Sequence, residues 1–590
     1  MENYLATTAI PEIWDKERHI ILLGPWCATD ENMKLLEGGT YEFAESPWRP
    51  FAAKLQEADN YCCGVYESLM PVVGRKLNAL HNVERSEKYW RILVGPWLKS
   101  FIEILYDRYI RVGKVLERRS DIYTSYISDD QDIACYDTHD FVIESLTDAF
   151  NLKLFSLIAR RLKIPAKEVR VESHKYEIEK KTDGRPGFKH RLKMAAIKSF
   201  NVFSGGEIVV IGLGHVLGHV KGTEYLKLLL RGLRPYFIDT LKRLPFEVSL
   251  NDRQSLVFDY EHEDPFVGLL RDILHRAMPT CYIEGYGYYL KNTVTLSGVK
   301  VLGSGNGFIF AEDFKFIAAN AAENGTKLVE FQHGGGYGIM IVSCFGSALK
   351  DRDMFYTWGW SKIKSGPCPL SRLPSPHLSK IKDTHLCSNE KALYIGNSSG
   401  RYFYRLESGI IFPENFVTYI DNIKRFLQNI HEDVAPCLIY RPYPVEYGWK
   451  LDKVVLSVCP NIEILRDTGR GKNLTDWMRT VKICVIDNPY TTYIEALAIN
   501  VPTILFWDHD VWLMSPDVER YFERLRRAGV LYRTPEEAAK KLREVFDNPA
   551  AWWNGNEVQS ARREFLDVFG YTGKDWIGAW VGELKRFLKE

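Results

Sequence analysis

No window of the 590-residue sequence approaches the ~18–20 uninterrupted apolar residues that a membrane-crossing helix requires. The opening residues, Met1-Glu2-Asn3-Tyr4-Leu5-Ala6-Thr7, show no basic stretch leading into an apolar run, so no secretory signal is expected. An excess of either charge sign is missing too. Lys and Arg number 77 and Asp and Glu 76, leaving a formal +1, which removes the usual electrostatic footprint of a nucleic-acid binder and leaves room only for a local basic patch. Cysteine pairs at metal-binding spacing are absent. The eleven cysteines are an odd, scattered set; Cys62-Cys63 are adjacent, and Cys281, Cys437 and Cys484 sit in apolar runs. They read as reduced, buried thiols of a cytosolic protein. Internal repeats and low-complexity tracts are also lacking.

What is present is an ordinary globular composition, 46% apolar and 26% charged, which excludes disorder. The length exceeds one hydrophobic core, so two or three domains are expected. Aromatics reach 13%, with 15 Trp and 32 Tyr, a surplus that fits either carbohydrate and base stacking or simple core filling.

The chain alternates strand and helix signals. His19-Ile20-Ile21-Leu22-Leu23-Gly24-Pro25-Trp26 reads as the first strand of an open α/β sheet, ending in a Gly-Pro break. Residues 57–118 carry apolar residues at helical spacing, and 168–190 are charge-rich without a period, as in an exposed excursion or mobile loop. Strand signals return at Cys281–Gly285, Val299–Ser304, Lys327–Phe331 and Phe355–Trp360, with a helix at Glu312–Asn324. The Pro- and Ser-rich stretch from Gly366 to Pro376 reads as a linker. Beyond it, strands at Ala392–Ile395, Cys437–Tyr440, Val481–Ile486 and Thr503–Trp507 alternate with helices, and residues from Thr534 to Glu590 are helical. This is the pattern of a mainly parallel, doubly wound sheet. The expected division is 1–365 for an acceptor-side α/β domain with helical insertions, 366–385 for the linker, 386–550 for a nucleotide-binding domain, and 551–590 for helices packing back.

Two constellations carry chemistry. In Gln332-His333-Gly334-Gly335-Gly336-Tyr337-Gly338 an apolar strand runs into glycines that permit φ > 0 and close ligand approach. Free N–H groups in such a turn suit a phosphate, and His333 suits anion binding or proton transfer. The plainer alternative is a tight structural turn around a hydrogen-bonded core histidine. In Asp487-Asn488-Pro489-Tyr490-Thr491-Thr492-Tyr493-Ile494-Glu495 a buried strand ends in Asp-Asn and a helix starts with threonines, a natural anion site, with Glu495 one turn in to take sugar hydroxyls. Its alternative is that Thr491 merely caps the helix. Arg441, at a strand end, and Arg401, after the small-residue turn Gly396-Asn397-Ser398-Ser399-Gly400, are candidates for a diphosphate or carboxylate clamp. Candidate acids or bases are Glu284, Glu312, Asp313 and Asp107. Asp351-Arg352-Asp353 and Asp508-His509-Asp510 have the form of metal-binding Asp-x-Asp motifs, but three-residue matches arise by chance, and no metal or cofactor is expected.

Taken together, His81-Asn82-Val83, Tyr89-Trp90-Arg91-Ile92-Leu93-Val94-Gly95-Pro96-Trp97-Leu98, Tyr282-Ile283-Glu284-Gly285, the Gln332–Gly338 turn, Arg441-Pro442-Tyr443-Pro444 with Tyr447-Gly448-Trp449, Asp487-Asn488 through Thr503, and Pro549-Ala550-Ala551-Trp552-Trp553 resemble the transferase family of bacterial surface-carbohydrate loci first catalogued in leptospires. Pro442 departs from the Leu-like residue expected before Tyr-Pro. The Asp-Asn…Thr-Thr…Glu-Ala pattern is also similar to the donor half of GT-B glycosyltransferases and of glycerophosphate polymerases. The resemblance implies two Rossmann-like domains facing a cleft, with C-terminal helices crossing back, and a nucleotide sugar held mainly by the second domain without metal. It implies a glycan, glycolipid or protein acceptor in lipopolysaccharide or flagellar-glycan synthesis, in the cytoplasm or at the inner face of its membrane, with peripheral membrane contact at most. CMP-linked Kdo- or nonulosonate-type sugars are one donor class; a CDP-alcohol phosphotransferase and a non-catalytic glycan-binding protein are the alternatives. On this reading Gln332, Gly334, Gly335, Gly336, Ser398, Ser399, Arg401, Arg441, Asn488, Thr491, Thr492 and Glu495 bind substrate, and His333, Asp313 and Glu284 are the catalytic candidates.

Overall fold

The structure is a computed structural model that describes residues 3–128, 133–171, 206–211, 222–236, 238, 241–257, 263–342, 348–361, 367–407, 412–466 and 473–590. Of the charge-rich stretch 168–190, residues from 172 onward lie outside the described residues.

Among the described residues, seventeen strands form three sheets. The first contains β1 (Asn3–Ala6), β2 (Ile20–Leu22), β3 (Tyr41–Phe43), β4 (Ile122–Ile127) and β5 (Ala166–Val169) in the order 3-2-1-4-5. The second contains β6 (Ile208–Ile211), β7 (Leu233–Tyr236), β8 (Val301–Ser304), β9 (Lys327–Phe331), β10 (Met354–Thr357) and β11 (Leu370–Arg372) in the order 11-10-9-8-6-7. The third contains β12 (Ala392–Ile395), β13 (Leu438–Arg441), β14 (Glu463–Ile464), β15 (Ile483–Ile486), β16 (Thr503–Phe506) and β17 (Leu531–Tyr532) in the order 14-13-12-15-16-17. All named strands pair in parallel. Parallel strands covered by helices on both faces must be apolar throughout, and β6, β12, β15 and β16 are buried at every residue. Each sheet reverses its winding once, between β1 and β4, between β6 and β8, and between β12 and β15. A crevice opens at such a point beyond the strands' carboxyl ends.

The expected α/β class with doubly wound sheets is therefore observed, and the C-terminal helix does cross back. Trp576, Ile577, Trp580, Val581, Leu584 and Phe587 of the helix Trp576–Lys589 form one core with Ile208, Val210, Val301, Val329 and Tyr356 of the second sheet. This pair of facing sheets with a returning helix is the GT-B plan. The first sheet is an addition to it. The sequence pattern shows only its β2, because β1 and β3 are short and the long helices Phe51–His81 and Gly95–Leu116 intervene before β4.

Three local expectations are corrected. The strand around Ile20 is the second of its sheet, with Asn3–Ala6 ahead of it. Cys281–Gly285 is no strand. Thr280–Tyr282 is a 3-10 turn leading to the helix Tyr286–Asn292, because the N–H groups of Thr280 and Cys281 bond to the carbonyls of Cys135 and Tyr136. Leu370–Arg372, inside the stretch read as a linker, is the edge strand of the second sheet.

The loop after β12 is planted in the first unit. Tyr402, Phe403, Leu406 and Phe412 belong to the core around the first sheet. The Tyr402 ring sits 5.3 Å from that of Trp26, its hydroxyl donates to Asp148, and Arg401 bonds to Asp148 and to the Trp26 carbonyl oxygen. Arg111 pairs with Glu414 at 2.7 Å, and the Leu406 N–H donates to Glu103 at 3.0 Å.

Candidate functional site

At the winding reversal of the third sheet, β12 runs into Gly396–Gly400 and β15 into Asp487–Tyr490, so these two loops flank one crevice. Asp487 braces its floor. It is 2% exposed and accepts hydrogen bonds from Tyr394 Oη at 2.7 Å, Tyr419 Oη at 2.9 Å and Asn488 Nδ2 at 3.1 Å. Burial pushes its carboxyl up to about 6, against the three donors. The Tyr419 hydroxyl also accepts the Asn397 N–H at 2.7 Å, so one tyrosine ties the two loops together. Asn488, a predicted ligand contact, is buried and braces Asp487 instead.

The helix Thr491–Ile499 starts without a side-chain cap at Tyr490. The capping alternative for Thr491 does not hold: its Oγ1 accepts the N–H of Gly335, at 2.9 Å, from the other half of the protein. The helix start thus presents its positive dipole end at the boundary of the two facing sheets. Thr492 lies half-buried in the first turn. Glu495, one turn in, is bonded at 2.8 Å by His377 Nε2, from the helix Pro376–Ile381.

The glycine turn after β9 is held from below by Gln332. This side chain is 1% exposed; its Oε1 accepts from Trp358 N at 2.8 Å and Trp360 Nε1 at 2.7 Å, and its Nε2 donates to Gly334 O at 2.8 Å. Gln332 is therefore a brace of the turn, where the sequence predicts a ligand contact. The glycines serve close approach more than positive φ, which in this run occurs only at Gly338 (+73°). A Cβ on Gly335 would lie 2.7 Å from Tyr490 O and 2.9 Å from Thr491 Cα, whereas one on Gly334 or Gly336 meets nothing nearer than 3.5 Å. His333 is half-buried, with Nδ1 3.0 Å from Tyr337 Oη and the two rings edge to face. Just beyond, Ile339–Ile341 and Leu513–Ser515 exchange backbone bonds at 3.0 and 2.8 Å, a second seam between the halves.

Beside the loop after β12 lies a cavity of about 390 Å³ lined by Ser398, Arg441, Tyr443, Val445, Leu465 and Arg466 among others. Arg441 donates to the Pro442 carbonyl. Ser398 Oγ is buried without a hydrogen-bond partner among the described residues. The Ser399 carbonyl accepts Trp449 Nε1 at 2.9 Å. Arg401 does not join the clamp with Arg441, since its guanidinium is committed to Asp148 and Trp26.

The acid and base candidates separate sharply. Glu284 is locked in a two-pronged pair with Arg253 at 2.7 and 2.9 Å and accepts Ser249 N as well, so it is a structural carboxylate and no base. Asp107 is enclosed by Trp48, Arg108 and Arg111, and Glu312 by Tyr282, Thr138 and Lys315. Asp313 is half-buried, accepts Leu241 N at 3.2 Å, and is pushed up to about 6, chiefly by burial. Asp353 accepts Leu328 N and lies 3.5 Å from Lys88, while burial raises Asp351. His509 contacts Glu519 and Arg526; the Asp510 side chain lies outside the described ones. Sequence reasoning missed His377, Tyr394 and Tyr419: each reaches the site from another element, 68 to 118 residues from its partner.

The chain matches the LIC12162 family transferase profile over residues 3–584. It belongs to that family. The stretches that carry this resemblance do not all line the crevice: in this LIC12162 family transferase Tyr89 and Trp90 are fully buried, and Arg91 pairs with Glu67 and Glu87. His81 stacks on Tyr286 at 4.1 Å. Searching curated proteins returns no match. Among solved structures, an O-GlcNAc transferase mutant of Thermobaculum terrenum is 11% identical, with 91% of this chain and 98% of that one covered and a TM-score of 0.31. MurG of Acinetobacter baumannii is 9% identical over 64% and 99%, with a TM-score of 0.32. WaaG, a glycosyltransferase involved in lipopolysaccharide biosynthesis, is 12% identical over 65% and 99%, with a TM-score of 0.30. No helix among the described residues is long and apolar enough to cross a membrane.

Proposed function

We propose that this LIC12162 family transferase moves a sugar from a nucleotide donor to a bacterial surface-glycan, glycolipid or glycoprotein acceptor at the inner face of the cytoplasmic membrane. One observation supports this reading above the rest: the Gly335 N–H bond to Thr491 joins the glycine turn of one sheet to the helix start at the other sheet's winding reversal. Such a seam sets a helix N-terminus beside a glycine turn, which suits the phosphate of a nucleotide leaving group, and Arg441 lines the cavity beside the loop after β12. The orphaned Ser398 hydroxyl and the adjoining cavity are the donor's berth, with Glu495 taking hydroxyls and His333 neutralising phosphate or a sugar carboxylate. Asp313, which holds its proton to about pH 6, is the candidate base once deprotonated. CMP-linked Kdo- or nonulosonate-type sugars are one donor class, with a nucleoside monophosphate as the leaving group.

A melting-temperature screen against CMP, UDP, GDP, their sugars and CDP-alcohols tests this. A ligand at about 100 times its Kd adds about 2.7 kcal/mol of stability, an easily read shift. A response to nucleotide sugars, with turnover abolished and the fold retained in His333→Ala, is the expected outcome. Cleavage of CDP-alcohols alone assigns phosphotransfer instead, and silence from every compound overturns the proposal.

A further inference from the structure

We propose that His377, on the segment joining the two facing sheets, is a positioning residue that orients Glu495 toward the donor's hydroxyls. The inference rests on the donor-site reading of Glu495 above.

His377 is mounted on a rigid support. Ser375 caps its helix through Oγ, which accepts Leu378 N at 3.3 Å, and Leu378 is fully buried. The support draws on both crossings between the halves. Ser375 N donates to Tyr571 O at 2.8 Å, Gly573 N to Ser379 Oγ at 3.1 Å, and Trp580 Nε1 to Pro374 O at 2.9 Å. It is also fastened to the far end of the donor helix, where Asp383 N and His385 N donate to Ala498 O and Ile499 O at 2.8 and 3.1 Å. Gly570 fits against both Ile494 and Leu378, and a Cβ there would meet them at 2.9 and 3.5 Å.

On that support the imidazole reaches Glu495 Oε1 at 2.8 Å, with the histidine 31% and the glutamate 15% exposed. A glutamate one turn into a helix has three soft torsions and several rotamers. An Nε2–H donated to one oxygen selects one of them and leaves the second oxygen for a ligand's hydroxyls. Fixing the rotamer before the ligand arrives lowers the ordering cost of binding. The effect belongs to binding, equal in ground and transition state, so it falls on KM and leaves kcat in place.

The test compares wild type, His377→Ala, His377→Gln, Glu495→Ala and the double alanine variant. Each is titrated with CMP, UDP, GDP and their sugars, with far-UV circular dichroism and melting to verify folding. Gln places an amide N–H close to the Nε2 position. For the nucleotide that wild type binds, His377→Ala is expected to weaken affinity about tenfold, as for one lost hydrogen bond to a charged group, with kcat unchanged. His377→Gln restores it, and the double variant is no worse than Glu495→Ala. Wild-type affinity in His377→Ala beside a weakened Glu495→Ala overturns this inference alone and leaves the donor site standing. So does a folded His377→Gln that binds as poorly as alanine, or losses that simply add. Wild-type affinity in Glu495→Ala, or no binding by wild type, removes both readings.

Discussion

Gln332 and Asp487 show how single buried polar groups shape this site. Gln332 satisfies two donors of the neighbouring strand's exit, Trp358 N and Trp360 Nε1, and one acceptor of its own turn. Gln332→Leu strands those donors at about 1–3 kcal/mol each. Urea unfolding should register a loss of that order, and wild-type stability in the variant would refute the bracing role. Asp487 couples to pH. Its folded carboxyl keeps a proton up to about pH 6, whereas an unfolded aspartate releases it near ~3.9. The folded chain therefore binds more protons between those values, and this contribution to stability is lost as pH rises through the window. In Asp487→Asn the fall in urea midpoint between pH about 4 and 6 should flatten; an unchanged slope counts against the assignment. The chemistry-bearing motifs at this scale were visible in the sequence as Gln-His-Gly-Gly-Gly and Asp-Asn. Whether a residue faces ligand or braces a neighbour was not, because that depends on partners such as Tyr394, 93 residues from Asp487.

At the scale of elements, the turn and the helix start behave as one piece. Gly335 approaches backbone atoms of Tyr490 and Thr491 that cannot rotate away, whereas Gly334 faces a hydroxyl at 3.5 Å. Gly335→Ala should therefore push the turn off the helix, at about 1–3 kcal/mol, and remove nucleotide binding. Gly334→Ala should leave binding and melting near wild type. Equal effects from the two alanines would show that the contact is incidental. Apolar strands flanked by turn residues were legible where strand and helix alternate closely, as from β8 to β10 and at β12, β13, β15 and β16, whereas the two-residue edge strands β14 and β17 were not. Of the first sheet only β2 was legible: β3 is exposed or half-buried along its three residues and so lacks an apolar signal, and β4, which pairs with β1, follows only after two long helices.

On this packing the whole molecule is expected to unfold as one body. The core around the first sheet also takes in Val209, Leu302 and Phe314 of the second unit and Tyr402, Phe403, Leu406 and Phe412 of the third. The last helix seals the far face of the second sheet, where Trp580 stacks on Phe331 at 4.5 Å. Calorimetry should give one transition, and Trp580→Ala should lower all of it by about 3–5 kcal/mol. Two separated peaks, or a shift confined to one, would argue for independent domains. The planted Tyr402 loop has a last consequence, for the order of synthesis. The first sheet is complete when Val169 leaves the ribosome, yet the side chains that close its core arrive roughly 230 residues later, on the order of 10–50 s at ~5–20 residues per second. Until those side chains exist, Trp26 and Trp48 lack the rings that cover them in the finished protein.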